Sequence, residues 1–153
     1  MPDSIVDLLA AEDGKSNTLT PLPILADLLH EDLSHRNGMV HLCASDALQV
    51  WKLKQEGAHF CGYRNVQMLL YAIESDFEKS LPACDIGREV YAIPKVQDMI
   101  ETAWNRGFNA HGGIQTGGVR GTRKHVGTSE VSYLDIFSMR DAWLIVDRPK
   151  QFS

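Results

Sequence analysis

Long apolar runs are missing from this chain: none of its 153 residues lies in a stretch approaching the roughly eighteen that a membrane-spanning helix needs, which excludes a helical membrane protein. Cysteine is scarce. Three, at 43, 61 and 84, make no even disulfide framework, and Asp3 and Asp7 interrupt the apolar stretch at the N-terminus, so no secretory leader is read there. Reduced thiols in the cytoplasm or nucleus are the expectation. Positive charge is also short, with 15 Lys and Arg against 20 Asp and Glu, and a formal charge of −5 leaves no footprint for nucleic acid. The one local basic cluster, Arg120, Arg123, Lys124 and His125, is expected to be a solvated loop. The phosphate-loop pattern Gly-x-x-x-x-Gly-Lys-Ser/Thr is absent, so the six glycines between 107 and 121 are read as a flexible connector and not as a nucleotide cradle.

What is there suits one globular domain, at 44% hydrophobic and 23% charged residues. Residues 1–20 hold a short helical pattern from Ile5 to Ala11 followed by a polar stretch, and are expected to form a flexible tail, with the domain over 21–153. Leu22, Ile24, Leu25, Leu28, Leu29 and Leu33 predict a helix ended by Asn37-Gly38. Met39 to Cys43 reads as extended, and Ala44 to Lys54 as a helix with Leu48 and Trp51 on one side. A longer helix follows, with Val66, Leu69, Leu70, Ile73 and Phe77 apolar and Arg64, Gln67, Glu74 and Glu78 on its wet face. Residues 80–88 read as a loop, and Val96, Ile100, Ala103 and Trp104 predict the next helix. A helix starting near Thr128 and a buried strand over 142–146 complete the pattern.

Cys61 is the candidate nucleophile, because it stands where a loop turns into the strongest amphipathic helix of the chain. Unpaired backbone N–H groups and the positive dipole end favour a thiolate there. The run Cys61-Gly62-Tyr63-Arg64-Asn65-Val66-Gln67-Met68-Leu69-Leu70 resembles the nucleophile motif of the papain-like peptidases that cleave ubiquitin-fold modifiers. That is the family of the Ufm-specific proteases and the zinc-finger ubiquitin peptidase (ZUFSP type). Two further blocks carry the resemblance in the same order: Ile93 to Glu101 with Trp104, Gly107 and Phe108, and Gly121 to Glu130. Leu22 to Leu29 and His41-Leu42-Cys43 resemble the family's lead-in, so the likeness covers about residues 20–147.

The resemblance implies a papain-like α+β fold and a cysteine peptidase that hydrolyses peptide or isopeptide bonds after a modifier C-terminus. It implies ubiquitin, polyubiquitin or a ubiquitin-like modifier as partner, while charge and the lack of apolar runs set aside nucleic acid and membrane, and no cofactor or metal is expected. Glu130 matches an acidic residue that engages ubiquitin in the ZUFSP type. His125 stands where relatives carry Trp, and Asn109 where they carry Asp after Gly-Phe, so this modifier-binding set has lost aromatic area and a charge. Gly57-Ala58-His59-Phe60 replaces a Gly-Trp-Gly run before the nucleophile.

Thiol hydrolysis also needs a base, a group that orients it and donors for the oxyanion. In the resembling family the His and Asp lie on strands C-terminal to the matched region. The expectation is therefore a partial papain-like domain lacking part of its C-terminal sheet, a fragment or degenerate member with little turnover. Asp147 reads as a solvated strand end, His59 as a weak candidate base, and Gln49 and Gln55 as nearby amides without an assigned role. Two other readings stand beside the enzyme. One is a non-catalytic modifier-binding protein; the other is a zinc-binding structural module built on His41, Cys43, His59 and Cys61, whose spacing is unlike that of structural zinc sites.

Overall fold

A computed structural model of the chain describes residues 1–12, 17–34, 38–40, 42, 47–80 and 90–128, and among these described residues the helical periodicities resolve into five helices and a two-stranded ribbon. In chain order these are α1 (Asp3–Ala10), β1 (Thr18–Leu19), α2 (Pro21–Ser34), β2 (Gln49–Val50), α3 (Cys61–Ser80), α4 (Ile93–Asn105) and α5 (Ala110–Thr116). The class is α+β with helices dominant. No helix among the described residues is long and apolar enough to cross a membrane.

The core forms where α3 and α4 meet. Tyr63, Val66 and Leu70 recur at i, i+3 and i+7 on α3, and Ile93, Val96, Ile100 and Ala103 follow the same rule on α4, so two apolar stripes face each other. Each fully buried aliphatic side chain contributes about 1.5–3 kcal/mol by leaving water. Pro94 sits in the first turn of α4, where a missing N–H costs nothing. The helix stops at Gly107, whose φ of 92° suits only glycine, and the amides of Gly107 and Phe108 close back onto the carbonyls of Trp104 and Ala103 at 3.0 Å.

Several expectations change in the folded chain. Residues 3–10 are packed: Ile5 and Leu9 join the core against α4, which draws the amphipathic α1 out of the polar surroundings that made the segment look like a loose tail. The helix expected over 44–54 is absent from its described part. Leu48 and Val50 are both buried, a period of two, and Val50 pairs antiparallel with Thr18 while Gln49 pairs with Leu19. Trp51, read as the inner side of a helix, is exposed. The glycine-rich 107–121 stretch contains α5 and a fixed loop with Val119 in the core. On α3, Arg64 and Gln67 are buried instead of wet. The predicted loop beyond Ser80, the helix beyond Thr128 and the strand over 142–146 lie outside the described residues.

Candidate active site

Cys61 is the first residue of α3 and its thiol is exposed. The residue before it, Phe60, and the one two after it, Tyr63, are both completely buried, with rings 5.8 Å apart. The nucleophile candidate is thus held outward between two anchors in the core. The first intrahelical bond runs from the Arg64 amide to the Phe60 carbonyl at 3.0 Å, so the amides of Cys61 and Gly62 precede it. Two N–H donors at the start of a helix beside a thiol are placed to receive an oxyanion formed on an acyl partner of that sulfur.

The loop after α5 forms one wall of this site. A Cβ on Gly62 would lie 2.6 Å from the Val126 carbonyl oxygen, so only glycine lets the loop backbone approach the first turn of α3 this closely. The Tyr63 hydroxyl donates to the Lys124 carbonyl at 3.0 Å, and the His125 ring rests 5.3 Å from that of His59. Farther back, α4 grips the same loop. The buried Gln97 amide accepts from Gly121 N at 2.9 Å and donates to Thr122 O at 3.1 Å. Glu101 Oε1 accepts from the amides of Val119 and Arg120 at 2.9 and 2.8 Å. The Arg120 guanidinium bonds Asp98, and this hydrogen bond, with the charges of Asp98 and Glu101, pushes its pKa above the ordinary value. Lys124 Nζ donates to the carbonyls of Thr116 and Gly118. The basic segment is a loop with Arg120, Arg123, Lys124 and His125 exposed, as read from the sequence, and its backbone is in addition clamped to α4.

Behind the thiol lies a buried ionic cluster. Arg64 forks onto both carboxylate oxygens of Glu56, and also bonds Glu12 and Gln67 Oε1. Gln67 Nε2 donates to the Tyr91 carbonyl at 2.6 Å, tying α3 to the entry of α4.

The predicted site residues separate. His125 is exposed in the wall beside Cys61, reached through His59. Asn109 caps α5 from a left-handed conformation, φ 49°, with its side-chain oxygen accepting from Gly112 N at 3.3 Å. Glu130 lies outside the described residues, as do Cys43, Cys84 and Asp147. Gln49 sits in β2 with its amide turned to the Val50 carbonyl, Gln55 is exposed, and His111 shares a hydrogen bond with Gln115. No described residue hydrogen-bonds the Cys61 sulfur, His59 included. No group of three or more His, Cys, Asp or Glu among the described residues is arranged to hold a metal; His41 and Cys43 of the zinc reading are not among them. Sequence reasoning missed Arg64 and Gln67, because charged and amide side chains beside an apolar stripe read as solvated, and Glu56, whose connecting segment carries no periodic signal. It also missed Val126, whose packing against Gly62 has no local signal.

Residues 36–141 match the family model described as Peptidase family C78. The chain is 38% identical over 150 residues to the zinc finger-containing ubiquitin peptidase 1 of Macaca fascicularis, covering 91% of this chain and 23% of the relative. The Homo sapiens protein of that name is 33% identical over the same shares, and that of Mus musculus 42% identical over 57% of this chain and 15% of the relative. The chain thus spans less than a quarter of the length of these relatives. With a match over more than half its length, running from before the exposed thiol to beyond its loop wall, the chain belongs to peptidase family C78, the family of the zinc finger-containing ubiquitin peptidases.

Proposed function

We propose that this chain carries the nucleophile of a papain-like cysteine peptidase that acts on ubiquitin or a ubiquitin-like modifier, with Cys61 as that nucleophile. The observation that carries the reading is the exposed thiol on the first residue of α3, held between the buried Phe60 and Tyr63. The thiolate sulfur attacks the carbonyl carbon at the modifier C-terminus, and the oxyanion that forms is met by backbone N–H groups at the start of α3. The base takes the thiol proton, and as the C–N bond breaks its protonated form gives that proton to the leaving amine, so that a thioester remains. Water then cleaves the thioester, releasing the modifier carboxylate and restoring the thiol. The resemblance assigns the base and its orienting partner to a His and an Asp downstream of the matched region. His125 and Glu130, with Asn109, are the modifier-contacting residues of this reading.

Ubiquitin bearing a C-terminal electrophile tests it. A covalent adduct that is lost in Cys61→Ser and kept in Cys43→Ser and Cys84→Ser is the expected result. An adduct that persists in Cys61→Ser removes Cys61 from the role. Saturable ubiquitin binding with no adduct in the parent chain would assign the surface to a non-catalytic binding protein.

A further inference from the structure

Two ionic residues bracket the thiol in sequence and meet behind it in space. Glu56 precedes Cys61 on the approach segment, Arg64 follows it on the first turn of α3, and both are nearly sealed from solvent, at 1% and 4% exposure. Arg64 Nε and Nη2 take the two oxygens of Glu56, while Nη1 bonds Glu12 and Gln67. Glu56 Oε2 also accepts from the Leu53 amide at 3.0 Å, closing a turn whose Glu56 amide bonds the Leu53 carbonyl. Buried charges are costly to desolvate and are tolerated only when well paired, and a planar guanidinium gripping a carboxylate with two N–H groups fixes direction as well as distance. The segment from Glu56 to Phe60 is therefore pinned at one end by an ion pair and at the other by a core aromatic. Cys61 is the next residue.

We propose that Arg64 and Glu56 are positioning residues for Cys61: their ion pair sets the path of the approach segment, and so the direction in which the amides of Cys61 and Gly62 face the sulfur. Glu12 holds the same guanidinium but arrives from beyond the end of α1 and does not lie on the segment that delivers the thiol. The two carboxylates thus share one partner and one charge, and differ in what they steer. The inference rests on Cys61 being the nucleophile.

The test compares Glu56→Gln with Glu12→Gln in the full chain, measuring alkylation of Cys61 by iodoacetamide with site-resolved mass spectrometry alongside thermal unfolding. Each variant removes one negative charge from the same cluster. Charge alone would not separate the two variants, because either removal relieves the same kind of repulsion on an attacking sulfur and pushes the alkylation rate upward. Loss of positioning acts in the other direction. Alkylation in Glu56→Gln is expected to fall roughly two- to fivefold, the size of a helix-terminus charge interaction, with no fall in Glu12→Gln. Equal rates in the two variants, or a faster Glu56→Gln, overturns the proposal. If either Gln variant unfolds at the assay temperature, Glu56→Asp and Glu12→Asp replace the pair. They keep the charge and withdraw the carboxylate by one methylene, and a rate in Glu56→Asp equal to the parent's is again decisive against positioning. Iodoacetamide requires no modifier recognition. A chain that fails to react with the ubiquitin electrophile but shows the Glu56 effect refutes the peptidase reading alone.

Discussion

Substituting Gly62 by alanine sets two calculable effects against each other beside the thiol. Alanine is the better helix former by about 1 kcal/mol in a helix interior, less in the first turn, and Gly62 is not held at a positive φ, so local propensity alone favours the change. Packing opposes it. The added Cβ would stand 2.6 Å from the Val126 carbonyl oxygen and 2.8 Å from its Cγ2, and the nearer of these atoms is backbone. That backbone is held by the Tyr63 to Lys124 bond and, a few residues earlier, by Gln97. These bonds resist its withdrawal. Overpacking of this kind costs about 1–3 kcal/mol, so the net is a loss of roughly 0.5–2 kcal/mol. For a chain of this size that lowers the unfolding midpoint by about 1–8 °C, at ~2–4 °C per kcal/mol. Thermal unfolding followed by circular dichroism reads the shift. Adding Val126→Ala should restore only part of it, because trimming Cγ2 leaves the carbonyl contact in place. A Gly62→Ala protein as stable as the parent, or more so, would show that the loop does not press on α3 and that the wall of the site is misassigned.

Gln97→Leu strands the Gly121 amide and the Thr122 carbonyl, and should lower stability by about 1–3 kcal/mol in urea unfolding while preserving volume. Asn109→Ala removes the α5 cap and puts a β-carbon-bearing residue without a compensating side chain at φ 49°, for a loss of about 1–2 kcal/mol; Asn109→Gly should be close to neutral in the same assay. Leu70→Ala, in the completely buried stripe of α3, should cost about 2–5 kcal/mol, and a smaller loss in denaturant titration would mean that the α3–α4 seam collapses around the gap.

The parts of the fold that were legible in the sequence are those whose signal is local and periodic. Val66 and Leu70 on α3, and Val96, Ile100, Ala103 and Trp104 on α4, repeat at helical spacing, and each is buried. Leu48, Val50 and Trp51 were not legible, since three apolar residues in so short a run fit a period of 3.6 as well as one of two. The pairing of Thr18 with Val50, which decides between them, is invisible in the run itself. Glycine density misled in the other direction. Between 107 and 121 it marks helix ends and close approaches, because Gly107 closes α4 and Gly117 closes α5, each at positive φ. The family motif located Cys61, but periodicity assigned Arg64 and Gln67 of the same motif to solvent. Their burial depends on Glu12 and Glu56, partners from other segments of the chain.

An exposed cysteine in a free loop would have to be ordered when a substrate arrives, and fixing one residue's backbone costs about 1–2 kcal/mol each time. Here that cost is met in folding. Phe60 and Tyr63 are both in the core, the Arg64 amide bonds back to Phe60, and the Arg64 side chain bonds back to Glu56, so the backbone on both sides of the thiol is fixed by interactions that do not involve the sulfur. The loop wall adds a constraint from the other side through Val126 and Lys124. On the proposed reading, in which the Cys61 sulfur attacks a bound substrate, this frame is in place before the substrate arrives. Orientation set before binding is where a positioned nucleophile gains over a merely accessible one. Glu56, Gly62 and Gln97 are accordingly the positions at which a substitution alters this frame and leaves the sulfur untouched.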